Sequence, residues 1–132
     1  MNIDGTIFAI DFDGTCVTHE FPDVGADIGA QKVLKRIIKE GGKLILWTMR
    51  GTQNDALGDA IKWFAYNDIM LYGIQINPTQ RQWTDSFKAL AHVYIDDAAL
   101  GCPLKFGTGD NKDARPFVDW PQVELKIFGN NE

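Results

Sequence analysis

The chain has 132 residues, with 13 Lys and Arg against 18 Asp and Glu, for a formal charge of −5. That length suits one domain over residues 1–132, and 45% hydrophobic residues with four tryptophans describe a folded chain rather than a disordered one. The acidic balance speaks against a basic-surface nucleic-acid binder, and no apolar run approaches the ~20 residues of a membrane span.

Thr6–Asp11 (TIFAID) is apolar and β-rich and ends at a glycine-containing turn, which predicts a buried strand. Ala30–Glu40 sets Val33, Leu34, Ile37 and Ile38 at helical spacing, and Gly41-Gly42 stops it. Lys43–Trp47 (KLILW) reads as a second buried strand. Asp55–Asn67 reads as a helix with Leu57, Ile61, Phe64 and Ala65 on one face. Gly73–Ile76 is a short strand ended by Asn77-Pro78. Thr84–Ala91 is expected as a helix capped by Thr84, followed by a strand His92–Ile95 and the pair Asp96-Asp97. Asp119 is placed to cap a last helix with Pro121 in its first turn, running to Phe128. Strands alternating with helices imply parallel βαβ units in a layered α/β sandwich.

Cys16 and Cys102 stand apart, with no CxxC and no His cluster, which excludes a zinc site and a disulfide scaffold; both read as buried thiols. The start, Met1-Asn2-Ile3-Asp4, shows neither a basic n-region nor a hydrophobic stretch, so a reduced, cytoplasmic protein is expected.

In parallel sheets ligands sit beyond the carboxyl ends of the strands. There the first strand ends in Asp11-Phe12-Asp13, the second in Thr48-Met49-Arg50 and the fourth in Asp96-Asp97, with Lys88 on the helix that enters it. Acids gathered at one sheet edge repel by about 4 kcal/mol per pair at 4 Å and an effective dielectric near 20. A cation relieves that repulsion, and hard oxygen ligands suit Mg²⁺. Taken singly each residue has an ordinary role: a turn, a strand end, a solvated lysine, a surface arginine. Taken together, in this order, they form a candidate site.

Asp11-Phe12-Asp13-Gly14-Thr15 after an apolar strand resembles the first motif of the haloacid dehalogenase (HAD) superfamily. Leu46-Trp47-Thr48 resembles its second motif, Lys88 matches the lysine of the third, and Tyr94-Ile95-Asp96-Asp97 resembles the acidic fourth. The resemblance runs from about residue 6 to residue 97. It implies a three-layer sandwich around a central parallel sheet, the Rossmann-like HAD core. It also implies a Mg²⁺-dependent phosphatase, a hydrolase working through an aspartyl-phosphate. Asp11 would attack phosphorus; Asp13 would protonate the leaving oxygen and then deprotonate the hydrolytic water. Mg²⁺ would sit on Asp11, on the backbone carbonyl of Asp13 and on Asp97, with Asp96 close or bonded through water. Thr48 would donate to a phosphoryl oxygen, and Lys88 would neutralise the nucleophile–phosphate pair. Arg50 resembles the Ser/Thr-x-Arg arrangement of capless members such as polynucleotide 3′-phosphatases and is a candidate substrate contact.

Too few residues separate Asp13 from Ala30, or Thr48 from Lys88, to hold a cap domain. An open site suits phosphate on an extended molecule: a nucleic-acid end, a nucleotide or a phosphoprotein. The alternative is a sugar-phosphate or other small-metabolite phosphatase whose wall comes from a neighbouring subunit in an oligomer. The flap 17–23 (VTHEFPD) and Asn77–Trp83 (NPTQRQW) would set specificity. His19 reads as a flap surface residue, with a proton shuttle as the alternative, and Trp83 as packing, with a nucleotide clamp by Arg81 and Trp83 as the alternative. Arg115 and Trp120 read as packing of the C-terminal segment onto the sheet. A phosphoryl-accepting receiver is disfavoured because its acidic pair comes before its phosphorylated Asp. A non-catalytic binding module of the same fold is marked by loss of the nucleophile or of its partner acid, and Asp11 and Asp13 are both present.

Overall fold

Four short apolar runs pair into one sheet. β1 (Ile7–Ile10) lies between β2 (Lys43–Leu46) and β4 (Val93–Ile95), and β3 (Gly73–Ile74) flanks β2. The order is β3-β2-β1-β4 and every pairing is parallel. The computed structural model describes residues 2–107 and 115–129. Ile10 is level with Leu46 on one side and with Ile95 on the other, so three strands end in line.

Side-chain alternation along the strands builds two cores. Phe8, Ile10, Leu44 and Leu46 face the three helices, α1 (Ala30–Lys39), α2 (Ala56–Tyr66) and α3 (Trp120–Phe128), through Leu34, Ile37, Phe64 and Ile127. Ile7 and Ile45 point the other way and are covered by Ala89, with Trp47, Tyr72 and Ala91 around them. The result is a three-layer α/β sandwich of Rossmann-like kind, with a central parallel sheet. Its third layer is the segment that crosses from β3 to β4.

Local signals account for the element ends. Gly41, at φ +94°, returns its N–H to Ile38 while Gly42 bonds Ile37, closing α1. A Cβ at Gly41 would lie 2.1 Å from Asp4 Oδ1, so glycine is also needed for space. The Asp119 carboxylate accepts the Gln122 N–H, capping α3 as its sequence predicts.

The expected helix over Thr84–Ala91 does not form, and Gln80 gives the reason. This buried side chain donates to the carbonyls of Ser86 and Lys88 and accepts the N–H of Leu90. Buried Asn77 donates to the Leu90 carbonyl at 2.9 Å. The Thr84 and Ser86 hydroxyls take the N–H groups of Ser86 and Lys88. Backbone groups that a helix would pair internally are thus claimed by side chains. Beyond β4, β5 (Leu104–Lys105) and β6 (Phe117–Val118) form an antiparallel pair that carries no clear periodic signal in the sequence. Val118 donates to the Gly14 carbonyl at 3.0 Å, fixing this hairpin beside the turn after β1.

Candidate functional site

The level strand ends bring the acids together. Asp11 follows β1 directly and Asp96 follows β4 directly, so the ladder that pairs Ile10 with Ile95 sets them side by side. Asp11, Asp96 and Asp97 each offer a carboxylate oxygen, all within 4.8 Å of one another. The site lies where the sheet order reverses between β1 and β4, the place a parallel sheet opens a crevice.

Charge crowding is visible in Asp11. Its carboxyl is pushed up to about 7, first by burial and then by the Asp96 charge, against a lowering by the Thr15 hydrogen bond. Buried Thr15 organises the pair: its Oγ lies 2.9 Å from Asp11 Oδ2 and 3.3 Å from Asp97 Oδ1, and accepts the Asp97 N–H. Cys16, fully buried, donates its thiol to the Asp11 carbonyl, and burial first, then the Asp11 charge, pushes that thiol well up. It is a packed thiol, as the sequence implies. The donor set is three carboxylates repelling one another, which fits a hard divalent cation. These three residues can hold a metal ion.

Asp13 takes no side-chain part in that trio. Its two oxygens meet Arg50 Nε at 2.8 Å and Nη2 at 2.7 Å, a bidentate pair outside the group of three acids. No hydrogen bond is made to the Asp13 carbonyl among the described residues.

Comparison with solved structures finds a conserved protein coded by a locus of Bacteroides thetaiotaomicron, at a TM-score of 0.74 and 29% identity. The similarity spans 98% of this chain and 94% of that one. No family model matches the sequence, and no curated protein matches it.

Two sequence expectations need correction. Arg50 was expected to meet substrate, but it is 2% exposed and its five N–H donors are all engaged. Besides the two bonds to Asp13 it donates to the carbonyls of Pro22, Asp23 and Ala56. Lys88 was expected on the helix entering β4; that helix does not form, and Lys88 is exposed in the crossing segment. Thr48 is held by its neighbours: Gln75 accepts its N–H and donates to its carbonyl, and its Oγ accepts the Arg50 N–H.

His19, too, lies elsewhere than its sequence implies. Its ring is not on the flap surface but folds over Gly14, with Nε2 3.2 Å from Asp97 Oδ2 and 3.1 Å from the Pro116 carbonyl. Both partners are acceptors, so Nε2 carries the hydrogen. His19 also lines a cleft of about 680 Å³ with Lys105, Phe106, Arg115 and Phe117, which adjoins the acids through this ring. Trp83 is exposed, so its expected packing role is not seen, whereas Trp120 is buried as expected. No helix among the described residues is long and apolar enough to cross a membrane.

Proposed function

We propose that the chain is a Mg²⁺-dependent phosphomonoester hydrolase of the haloacid dehalogenase type, with Asp11 as nucleophile. One observation carries the reading: Asp11, Asp96 and Asp97 converge within 4.8 Å at the carboxyl ends of adjacent parallel strands. The order of motifs along the chain supports it, and Thr48 stands one strand away with a hydroxyl proton left to donate.

In this reading an Asp11 oxygen attacks phosphorus, the bond from phosphorus to the ester oxygen breaks, and Asp13 gives that oxygen its proton. Water then attacks phosphorus, passes a proton back to Asp13, and the bond to Asp11 breaks, releasing inorganic phosphate. A divalent ion held by the three acids would neutralise the charge between a carboxylate nucleophile and an anionic phosphate. Thr48 would donate to a phosphoryl oxygen. The body of the substrate would lie in the cleft beside His19, where Lys105 and Arg115 supply cations and Phe106 and Phe117 supply apolar surface. A cleft of that size favours a nucleotide, a nucleic-acid end or a phosphoprotein over a small sugar phosphate.

A panel of phosphomonoesters, including 3′- and 5′-phosphorylated oligonucleotides, tests the reading with Mg²⁺ and with EDTA. Turnover is expected with Mg²⁺, lost in EDTA, and lost in Asp11→Asn. Turnover undiminished in Asp11→Asn removes the nucleophile, and none from any phosphomonoester removes the activity. Preference for small sugar phosphates, in a protein that sediments as an oligomer, favours the subunit-capped alternative.

A further inference from the structure

We infer that Arg50 is a positioning residue that ties the Asp13 carboxylate to the flap, so that neither moves without the other; the catalytic half of this rests on the hydrolase reading above. Arg50 reaches three separate pieces of chain. It grips Asp13 through Nε and Nη2, the flap through the carbonyls of Pro22 and Asp23, and the start of α2 through the Ala56 carbonyl. Its guanidinium also lies 5.0 Å from the Phe12 ring and 5.1 Å from the ring of Phe21 on the flap. The side chain is 1% exposed, so water cannot replace a lost partner at the far end.

The geometry distinguishes this role from plain packing. The Asp13 side chain makes no hydrogen bond to the flap, and its link to Pro22 and Asp23 passes through Arg50. Each Asp13 oxygen accepts one N–H from Arg50 and keeps a second lone pair, so the guanidinium fixes where this carboxyl can give or take a proton at a substrate. Release of Asp13 leaves the guanidinium short of acceptors and loosens its hold on the flap carbonyls. Displacement of the flap by an incoming substrate loosens Asp13 in return. Lysine cannot substitute, since a single ammonium has three donors and no planar fork.

Hydrogen exchange at the flap amides of Thr18 and Ala26, which pair with each other's groups across the flap, reads the coupling without any assay of activity. Asp13→Ala and Arg50→Lys are each expected to speed that exchange at least ~10-fold, since the flap loses its hold in both. Asp96→Asn, which also removes an acid from the cluster, is expected to leave it at the wild-type rate. Wild-type exchange in a folded Asp13→Ala overturns the coupling. If that variant does not fold, Asp13→Asn, which keeps one acceptor for Arg50, is expected to show a smaller acceleration, and no acceleration there overturns it equally.

The catalytic half is read in Arg50→Lys with alkyl and aryl phosphates. Turnover of the alkyl esters, whose leaving oxygen needs the proton, should fall at least ~10-fold further than that of the aryl esters. Equal losses on both overturn the positioning role. A wild type that hydrolyses no phosphomonoester sinks the hydrolase reading and this half with it, while the exchange experiment still decides the coupling.

Discussion

The indole of Trp120, on the first turn of α3, donates to the main-chain carbonyl of Thr15 at 2.6 Å with both groups buried. The Thr15 hydroxyl in turn touches Asp11 and Asp97. The last helix of the chain therefore supports the acidic cluster from beneath. Trp120→Phe keeps most of the packing but strands a buried carbonyl, at a cost of about 1–3 kcal/mol. Urea melts should show that loss, and Trp120→Phe should also bind a divalent ion more weakly than wild type. Unchanged stability would mean that water reaches the carbonyl.

Asp11 makes the metal-free protein sensitive to pH in a definite direction. Its carboxyl titrates near 3.8 in the unfolded chain and near 7 in the native one. Between those values the native state holds the proton that the unfolded state has lost, so this residue's contribution to stability falls as pH rises. Above about 7 the penalty is complete and constant. Asp11→Asn lacks it, so the mutant should gain on wild type from about pH 4 to pH 7, by roughly 2–4 kcal/mol at 1.36 per unit, and no further. Melts of both proteins in EDTA across that range measure the difference. A gap that does not change with pH would show that burial does not hold the Asp11 proton.

A divalent ion should stabilise the fold through three named carboxylates and not through the fourth. At about 100 times the dissociation constant the gain is about 2.7 kcal/mol. Asp11→Asn, Asp96→Asn and Asp97→Asn should each lose most of the Mg²⁺-induced rise in Tm. Asp13→Asn should keep it, because that side chain is turned toward Arg50. Loss in Asp13→Asn alone would relocate the site.

Gly14 occupies the space where His19 and Asp97 meet. Its φ is +80°, and a Cβ there would lie 2.1 Å from His19 Nε2 and 2.8 Å from Asp97 Oδ2. Gly14→Ala should cost about 1–3 kcal/mol, from strained backbone and a displaced ring together. Adding His19→Ala should recover the part due to the ring and leave the part due to φ. Scanning calorimetry of the single and double variants separates the two; a double variant no better than Gly14→Ala would assign the whole cost to the backbone.

The elements that could be read from the sequence are those whose local pattern decides the outcome. β1 is apolar throughout and β2 is apolar after Lys43, α1 repeats at helical spacing and ends on two glycines, and the acids fall at strand ends that the register then brings level. The failures share a different cause. The 84–91 stretch has the makings of a helix, but Gln80 and Asn77, several residues upstream, take its backbone groups. With the helix gone, the placement expected for Lys88 goes too. Arg50 is two residues from a motif, and nothing in its neighbourhood says that Pro22, Asp23 and Ala56 will supply the acceptors that bury it. His19 was hidden in the same way, because its partners are Asp97 and Pro116.

The position of β4 also has a kinetic side. β1, β2 and β3 follow one another in the sheet through nearby connections, whereas β4 reaches the far side of β1 only after the chain doubles back across the sheet. Non-local closure of this kind falls late in folding. Asp96 and Asp97 travel with that strand, so the acids first feel one another as it docks. A divalent ion held among them would act on contacts made as β4 docks, so adding Mg²⁺ is expected to slow unfolding more than it speeds folding. Unfolding rates in denaturant, with Mg²⁺ and with EDTA, measure that difference.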